Sequence, residues 1–247
     1  MAETLEVQNL PDFTTVAPGE LRIITSNITV RPMSFVRNGI RQGFEPALAR
    51  MVCDRLDLTP QWFNVPLKKF YPALTSGEYD VIWFNQVITQ ERRAWADFTR
   101  PYGRFDTAVL VREDSDVESK AHLSQKRIGV LQESVSKQML ELLPPDIEPV
   151  YFEGSHKVEV EMLQALRKGH IDAILEDALV LMATEAQDAN VRVAFEIPTQ
   201  YPFGVAVLPG SRELLNALNT VLSNLIVDGT LNRIWGQWIP FKPYPFL

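Results

Sequence analysis

One phrase occurs twice in this chain. Ala73-Leu74-Thr75-Ser76-Gly77-Glu78-Tyr79-Asp80-Val81-Ile82 reads A-L-x-x-G-x-x-D-x-I, and so does Ala165-Leu166-Arg167-Lys168-Gly169-His170-Ile171-Asp172-Ala173-Ile174. Each copy has the pattern of a helix stopped by glycine, then a tight connection carrying an Asp into an apolar strand. Two copies predict two similar α/β units. A chain built that way keeps its ligand in the crevice between the units.

The 247 residues allow one large domain or two of ordinary size, and 46% hydrophobic content supplies an ample core. A formal net charge of −7 argues against a nucleic-acid partner, whose phosphates require a basic face. The basic residues are also dispersed, apart from short pairs such as Lys68-Lys69 and Arg92-Arg93. The single cysteine, Cys53, sits in the apolar-periodic stretch Ala47 to Leu58 and reads as a small buried hydrophobe. It leaves the redox compartment open. No apolar run is long enough to span a membrane. Met1 to Glu20 is polar and lacks the basic-then-apolar layout of a secretory leader.

Strand and helix patterns alternate along the chain, which specifies parallel sheets covered on both faces. Strands are expected at 21–25, 61–65, 80–84, 108–111, 127–131, 148–152, 172–175 and 204–208. Helices are expected at 45–56, 69–75, 136–143, 158–167, 212–227 and 230–238, with Thr89 capping a further helical segment. Residues 1–19 read as an extended arm. One lobe is assigned to 20–111 and 206–247, the other to 112–205. The similar strands near 108 and 205 would then form a hinge, which permits closure of one lobe on the other.

Signals for catalysis are thin. His122, His156 and His170 have no second ligand at metal spacing, so no metal or cofactor is expected. Nucleophile elbows and Gly-rich phosphate loops are missing. Glu176 and Asp177 are adjacent at a strand end, and alternation lets only one of them enter a common site. Asp177 lies at the carboxyl end of a second-unit strand and Arg92 just past the carboxyl end of a first-unit strand, where open α/β sheets bind ligands. An Arg grips a carboxylate with two parallel hydrogen bonds, and an Asp holds an ammonium. Together they would bind a zwitterion across a cleft.

Further residues carry a family likeness. Gly43-Phe44-Glu45 opens the first helix, and Pro72-Ala73-Leu74 runs through to Asp80-Val81-Ile82. Ile88-Thr89-Gln90-Glu91-Arg92 precedes Asp97-Phe98-Thr99-Arg100-Pro101-Tyr102. Lys126 to Gln132, Asp228-Gly229-Thr230 and Ile234 to Trp238 extend the match. From Leu21 to Trp238 the chain resembles the extracytoplasmic solute-binding proteins that feed polar amino-acid ABC importers. The resemblance implies a two-lobed α/β fold of the periplasmic-binding-protein type II, each lobe a mainly parallel sheet flanked by helices, joined by two hinge strands.

By the same resemblance, Arg92 would hold a ligand α-carboxylate and Asp177 its α-amino group. Asn85 and Val87 would make backbone and hydroxyl-type contacts on lobe 1. Ser134 and Val135 would bring a helix N-terminus beside the carboxylate. Val30, Leu67 and Phe84 would form a hydrophobic wall. Val30 stands where the family has an aromatic residue, and Val87 where it has a hydroxyl. Phe84 and Asn85 replace small residues. Asn27 replaces the acid that receptors for basic ligands use, which argues mildly against Lys, Arg or His as ligand.

The implied function is non-catalytic: a monomeric extracytoplasmic or periplasmic receptor, its leader removed, that closes on an amino acid or related carboxylate. Its partners would be the membrane subunits of an ABC transporter. A cyclohexadienyl-dehydratase-like enzyme on the same frame is the first alternative and would need an extra acid in the cleft. The sensor domain of a signalling receptor is the second, and would continue into a membrane helix after Trp238.

Overall fold

The computed structural model describes residues 12–246; positions 1–11 of the expected arm and Leu247 lie outside the described residues. In order come β1 (Glu20–Thr25), β2 (Phe35–Arg37), β3 (Ile40–Gln42), α1 (Phe44–Arg55), β4 (Thr59–Asn64), α2 (Phe70–Leu74) and β5 (Val81–Ile82). Then follow α3 (Gln90–Arg93), β6 (Asp97–Phe98), β7 (Gly103–Arg112), β8 (Arg127–Leu131), α4 (Ser134–Leu140), β9 (Glu148–Phe152) and α5 (Val158–Arg167). The rest is β10 (Ala173–Asp177), α6 (Ala178–Glu185), β11 (Val191–Phe203), β12 (Ala206–Val207), α7 (Arg212–Val227) and α8 (Thr230–Trp238).

Two five-stranded sheets result, ordered β4-β1-β5-β12-β6 and β11-β7-β10-β8-β9. In the first, β1 runs parallel to both its neighbours, β4 and β5. In the second, β8 does the same between β9 and β10. Antiparallel strands complete each sheet: β12 and β6 in one, β7 and β11 in the other.

The duplicated phrase has a duplicated structural reason. Gly77 (φ 80°) and Gly169 (φ 70°) each follow a helix end in the left-handed region, where a Cβ is penalised. Three residues on, Asp80 accepts from Arg22 N at 2.7 Å and returns its own N–H to Arg22 O at 3.0 Å. Asp172 treats Arg127 identically, at 2.9 and 2.8 Å. Each Asp therefore pins the strand beside its own.

On the first sheet, α1 buries Phe44, Leu48, Ala49, Val52 and Cys53, one stripe of a 3.6-residue period. α7 buries Leu214, Leu218, Val221, Leu222 and Leu225, and the Phe44 ring meets Trp235 of α8 edge-on at 5.1 Å. Gly43 must be glycine: its φ is 122°, and a Cβ there would lie 2.4 Å from the Met33 carbonyl oxygen. That close approach lets the Met33 and Pro32 carbonyls accept the first N–H groups of α1.

Pairing changes the expected division of the chain. The strand around 108, assigned to lobe 1 up to residue 111, hydrogen-bonds β10 and β11 and so belongs to the second sheet. The chain crosses near 99–102 rather than 112, and returns near 204–205. At the crossing Thr99 N donates to Val205 O and Val205 N to Thr99 Oγ1, both at 3.0 Å, so the two connections are tied together. β11, thirteen residues long, has no counterpart in the sequence reading. Its irregular register along β7 breaks the clean alternation that would have marked it.

Candidate functional site

The crevice between the lobes is lined from both sides. From the first come Ile28, Thr29, Val30, Leu67, Phe84, Asn85 and Gln86; from the second come Leu110, Leu131, Met162, Leu163, Ile174, Val180 and Leu181. With its open mouth this chamber measures about 800 Å³. Three acids, Glu133, Glu159 and Glu176, also face it. A neighbouring chamber, about 770 Å³ with its open mouth included, is lined by Arg92, Tyr71, Glu91, Trp95 and Gln132, and shares Leu67, Gln86 and Glu133 with the first. Glu133 therefore stands where the two chambers meet.

The loop after β5 sets the lobe 1 wall. Asn85 adopts φ 46°, a left-handed conformation that Asn tolerates. Its N–H is gripped by both oxygens of Glu45, at 2.8 and 2.9 Å, and Tyr102 donates to the same carboxylate. Burial pushes the Glu45 carboxyl up to about 7, against the pull of those donors. Glu45 is thus a positioning residue for the loop.

Arg92 sits on α3, whose N-cap Thr89 accepts from Arg92 N as expected. Its side chain is only 8% exposed. Nη1 donates to the Val87 carbonyl at 3.1 Å, and Nη2 reaches across the gap to Glu133 Oε2 at 3.3 Å. Val87 contributes its backbone to this arrangement, while its side chain is buried in the core. Glu133 occupies the N-cap position of α4 yet makes no cap bond with its side chain.

Asp177 does not line either chamber. It is fully buried, accepting from Leu179 N at 2.7 Å as the cap of α6 and from Asn85 Nδ2 at 3.2 Å across the lobes. The acid that enters the cleft is its neighbour Glu176. β10 runs two residues further than expected, through Asp177, so alternation turns Glu176 toward the chamber. Burial, with Glu133 as a secondary influence, pushes Glu176 up to about 8; burial raises Asp177 to about 7.

Of the remaining expected residues, Val30, Leu67 and Phe84 line the chamber as a hydrophobic wall, Phe84 backed edge-on by Phe70. Val135 packs in the core and lines neither chamber. Ser134 begins α4, the helix start expected there. Asn27 is exposed and bonds Arg41 and Asn64, away from both chambers. Glu133 and Glu159 are functional candidates that the sequence reading passed over, while Glu176 was weighed there beside Asp177 and set behind it. Position was their available signal: Glu133 and Glu176 both lie at carboxyl ends of second-sheet strands. Among the described residues no group of His, Cys, Asp and Glu is arranged to hold a metal ion.

Comparison with known proteins agrees with this architecture. ABC transporter arginine-binding protein 1 of Escherichia coli strain K12 is 27% identical over 203 residues, 80% of this chain and 82% of the relative. The structure of an ancestral arginine-binding protein bound to arginine superposes with a TM-score of 0.80. It is 31% identical and covers 89% of this chain and 98% of its own. An ancestral amino acid-binding protein, described as a precursor of cyclohexadienyl dehydratase, gives a TM-score of 0.79 at 27% identity. That match covers 90% of this chain and 95% of its own. Residues 21–241 match the sequence pattern of one family throughout. The chain belongs to the bacterial extracellular solute-binding proteins, family 3.

Proposed function

We propose that this protein is the extracytoplasmic receptor of an ABC importer, closing its lobes on an amino acid. The carrying observation is Arg92: a buried guanidinium on one lobe with Nη2 directed at a carboxylate on the other. The solute's carboxylate would take that seat. Its ammonium would lie near Glu176 and the Oδ1 of Asn85, which has no hydrogen-bond partner among the described residues. Micromolar affinity corresponds to about −8 kcal/mol, within reach of two charge-assisted anchors in a desolvated cleft. The apolar wall of Val30, Leu67 and Phe84 would receive the side chain. Isothermal titration against the common amino acids tests this, and heat is expected from at least one. Complete absence of heat refutes it.

A second reading has one observation in its favour. Glu176 faces the chamber from the end of β10, and burial raises its carboxyl to about 8, which favours the protonated form that a general acid uses. An enzyme that protonates a leaving hydroxyl would use such a group. Incubation with prephenate or arogenate, followed by ultraviolet absorbance, would reveal an aromatic product if this reading held.

A further inference from the structure

The interlobe contacts include a carboxylate and an N–H donor, the two kinds of hydrogen-bonding group that a zwitterion also presents. Glu133 presents a carboxylate to Arg92 at 3.3 Å. Asn85 presents an N–H donor to Asp177 at 3.2 Å. The first pair joins α3 of lobe 1 to the start of α4, and the second joins the loop after β5 to the end of β10. Next to them, Leu67 of lobe 1 seats against Gly154 of lobe 2 so closely that a Cβ on Gly154 would be 2.8 Å from Leu67 Cδ1. The lobes are therefore held together by the protein's own side chains at the place where a solute would bridge them.

The geometry points to Glu133 as a resident carboxylate: an interlobe latch on Arg92 that a carboxylate-bearing solute must displace, and hence a residue that sets affinity and selectivity. Glu133 is suited to this. It heads α4 without capping it, so leaving Arg92 breaks no helix bond. Its side chain is 29% exposed against 8% for Arg92, so it can withdraw toward solvent while the guanidinium stays in place. It also lines both chambers, so its withdrawal would join the Arg92 seat to the apolar chamber. A site occupied from within lowers apparent affinity by the fraction of molecules whose seat is free. Weak carboxylate ligands are thereby rejected, because only a solute with further contacts in the apolar chamber outcompetes the internal one.

The selectivity part rests on the receptor reading above; the latch itself does not. The test uses Glu133→Gln and Glu133→Ala in the full chain. Small-angle X-ray scattering of each variant without solute is expected to give a larger radius of gyration than the wild type. Titration with L-arginine and L-glutamine is expected to show about tenfold tighter binding by the variants, with L-argininamide and L-glutaminamide unchanged. Scattering curves identical to the wild type overturn the latch, whether or not any amino acid binds. Equal shifts for the acids and their amides overturn the competition at Arg92. Binding of no amino acid by either form would instead refute the receptor reading, with scattering still deciding the latch.

Discussion

Asn85 and Asp177, ninety-two positions apart in the chain, meet across the two lobes at 3.2 Å. The contact couples the loop that carries the cleft wall to the residue that caps α6. Asp177 thus joins helix capping, lobe contact and loop placement in one buried carboxyl. Replacing it with Ala removes the acceptor for Leu179 N and leaves Asn85 Nδ2 without its partner. A loss of roughly 2 kcal/mol is expected in urea denaturation. Asp177→Asn, which keeps an acceptor at the cap, should recover most of it. Equal losses for the two variants would show that the acceptor for Leu179 N does not account for the loss.

Glu45 anchors the same loop from beneath, with both oxygens on Asn85 N and Tyr102 donating to one of them. Glu45→Ala leaves a backbone N–H and a phenol unpartnered, a cost of about 1–3 kcal/mol for each stranded buried group. Beyond that loss, solute affinity should fall because Asn85 is no longer held in its left-handed conformation. Tyr102→Phe should cost stability while sparing affinity, since the Asn85 bonds survive. Denaturation and titration of both variants separate the two effects.

Gly154 limits how far the lobes approach. Alanine there crowds the flexible tip of Leu67, which can move, and makes ordinary contact with Ile28 Cδ1 at 3.5 Å, so Gly154→Ala should change little. Valine adds branches that the tip cannot clear. Gly154→Val is expected to hold the lobes apart, raising the radius of gyration and weakening solute binding at least tenfold. Unaltered binding by the valine variant would mean that this contact plays no part in closure.

The buried acids give stability a pH dependence of definite sign. Burial raises Glu45 and Asp177 to about 7 and Glu176 to about 8, from ordinary values of 4.5, 3.8 and 4.5. In the unfolded chain these groups release their protons near pH 4, so above that the native state holds more protons and stability falls as pH rises. The fall spans roughly pH 4 to 8. Acids held low act in the opposite sense but below that window, Asp188 at about 2 among them. The melting temperature should therefore drop between pH 5 and pH 8. Glu176→Gln should flatten the profile and raise the melting temperature at pH 8. A melting temperature that climbs over this range would contradict the burial of these acids.

Arg92 shows how far sequence reaches toward the site. A capping Thr three residues ahead fixes the helix start, and a glycine-ended helix with its following strand fixes the central strand, β5, that leads to it. Both are local rules, and both apply in the structure. Asn27 marks the limit. Arg41 donates to its side-chain Oδ1 and its backbone N–H donates to Asn64 Oδ1, and those partners lie 14 and 37 positions away.

The exchange of Glu176 for Asp177 as the cleft acid has a similar cause. On a strand, adjacent side chains face opposite sides, so the register of the strand decides which of two neighbouring acids faces the site. The length of β10 depends on pairing with β7 and on the helix that follows, neither of which was visible in Ala178-Leu179-Val180-Leu181. The sequence alone determined the two repeated units, most of their strands and helices, though not β2, β3, β6, β11 or α6, and the placement of Arg92, because helix stops, caps and hydrophobic periods act over a few residues. Tertiary structure decided the lobe assignment of the strand at 103–112, the acid that enters the cleft and the meeting of Glu133 with Arg92. Strand pairing and lobe contact join residues distant in the chain, and no local pattern encodes which partner wins.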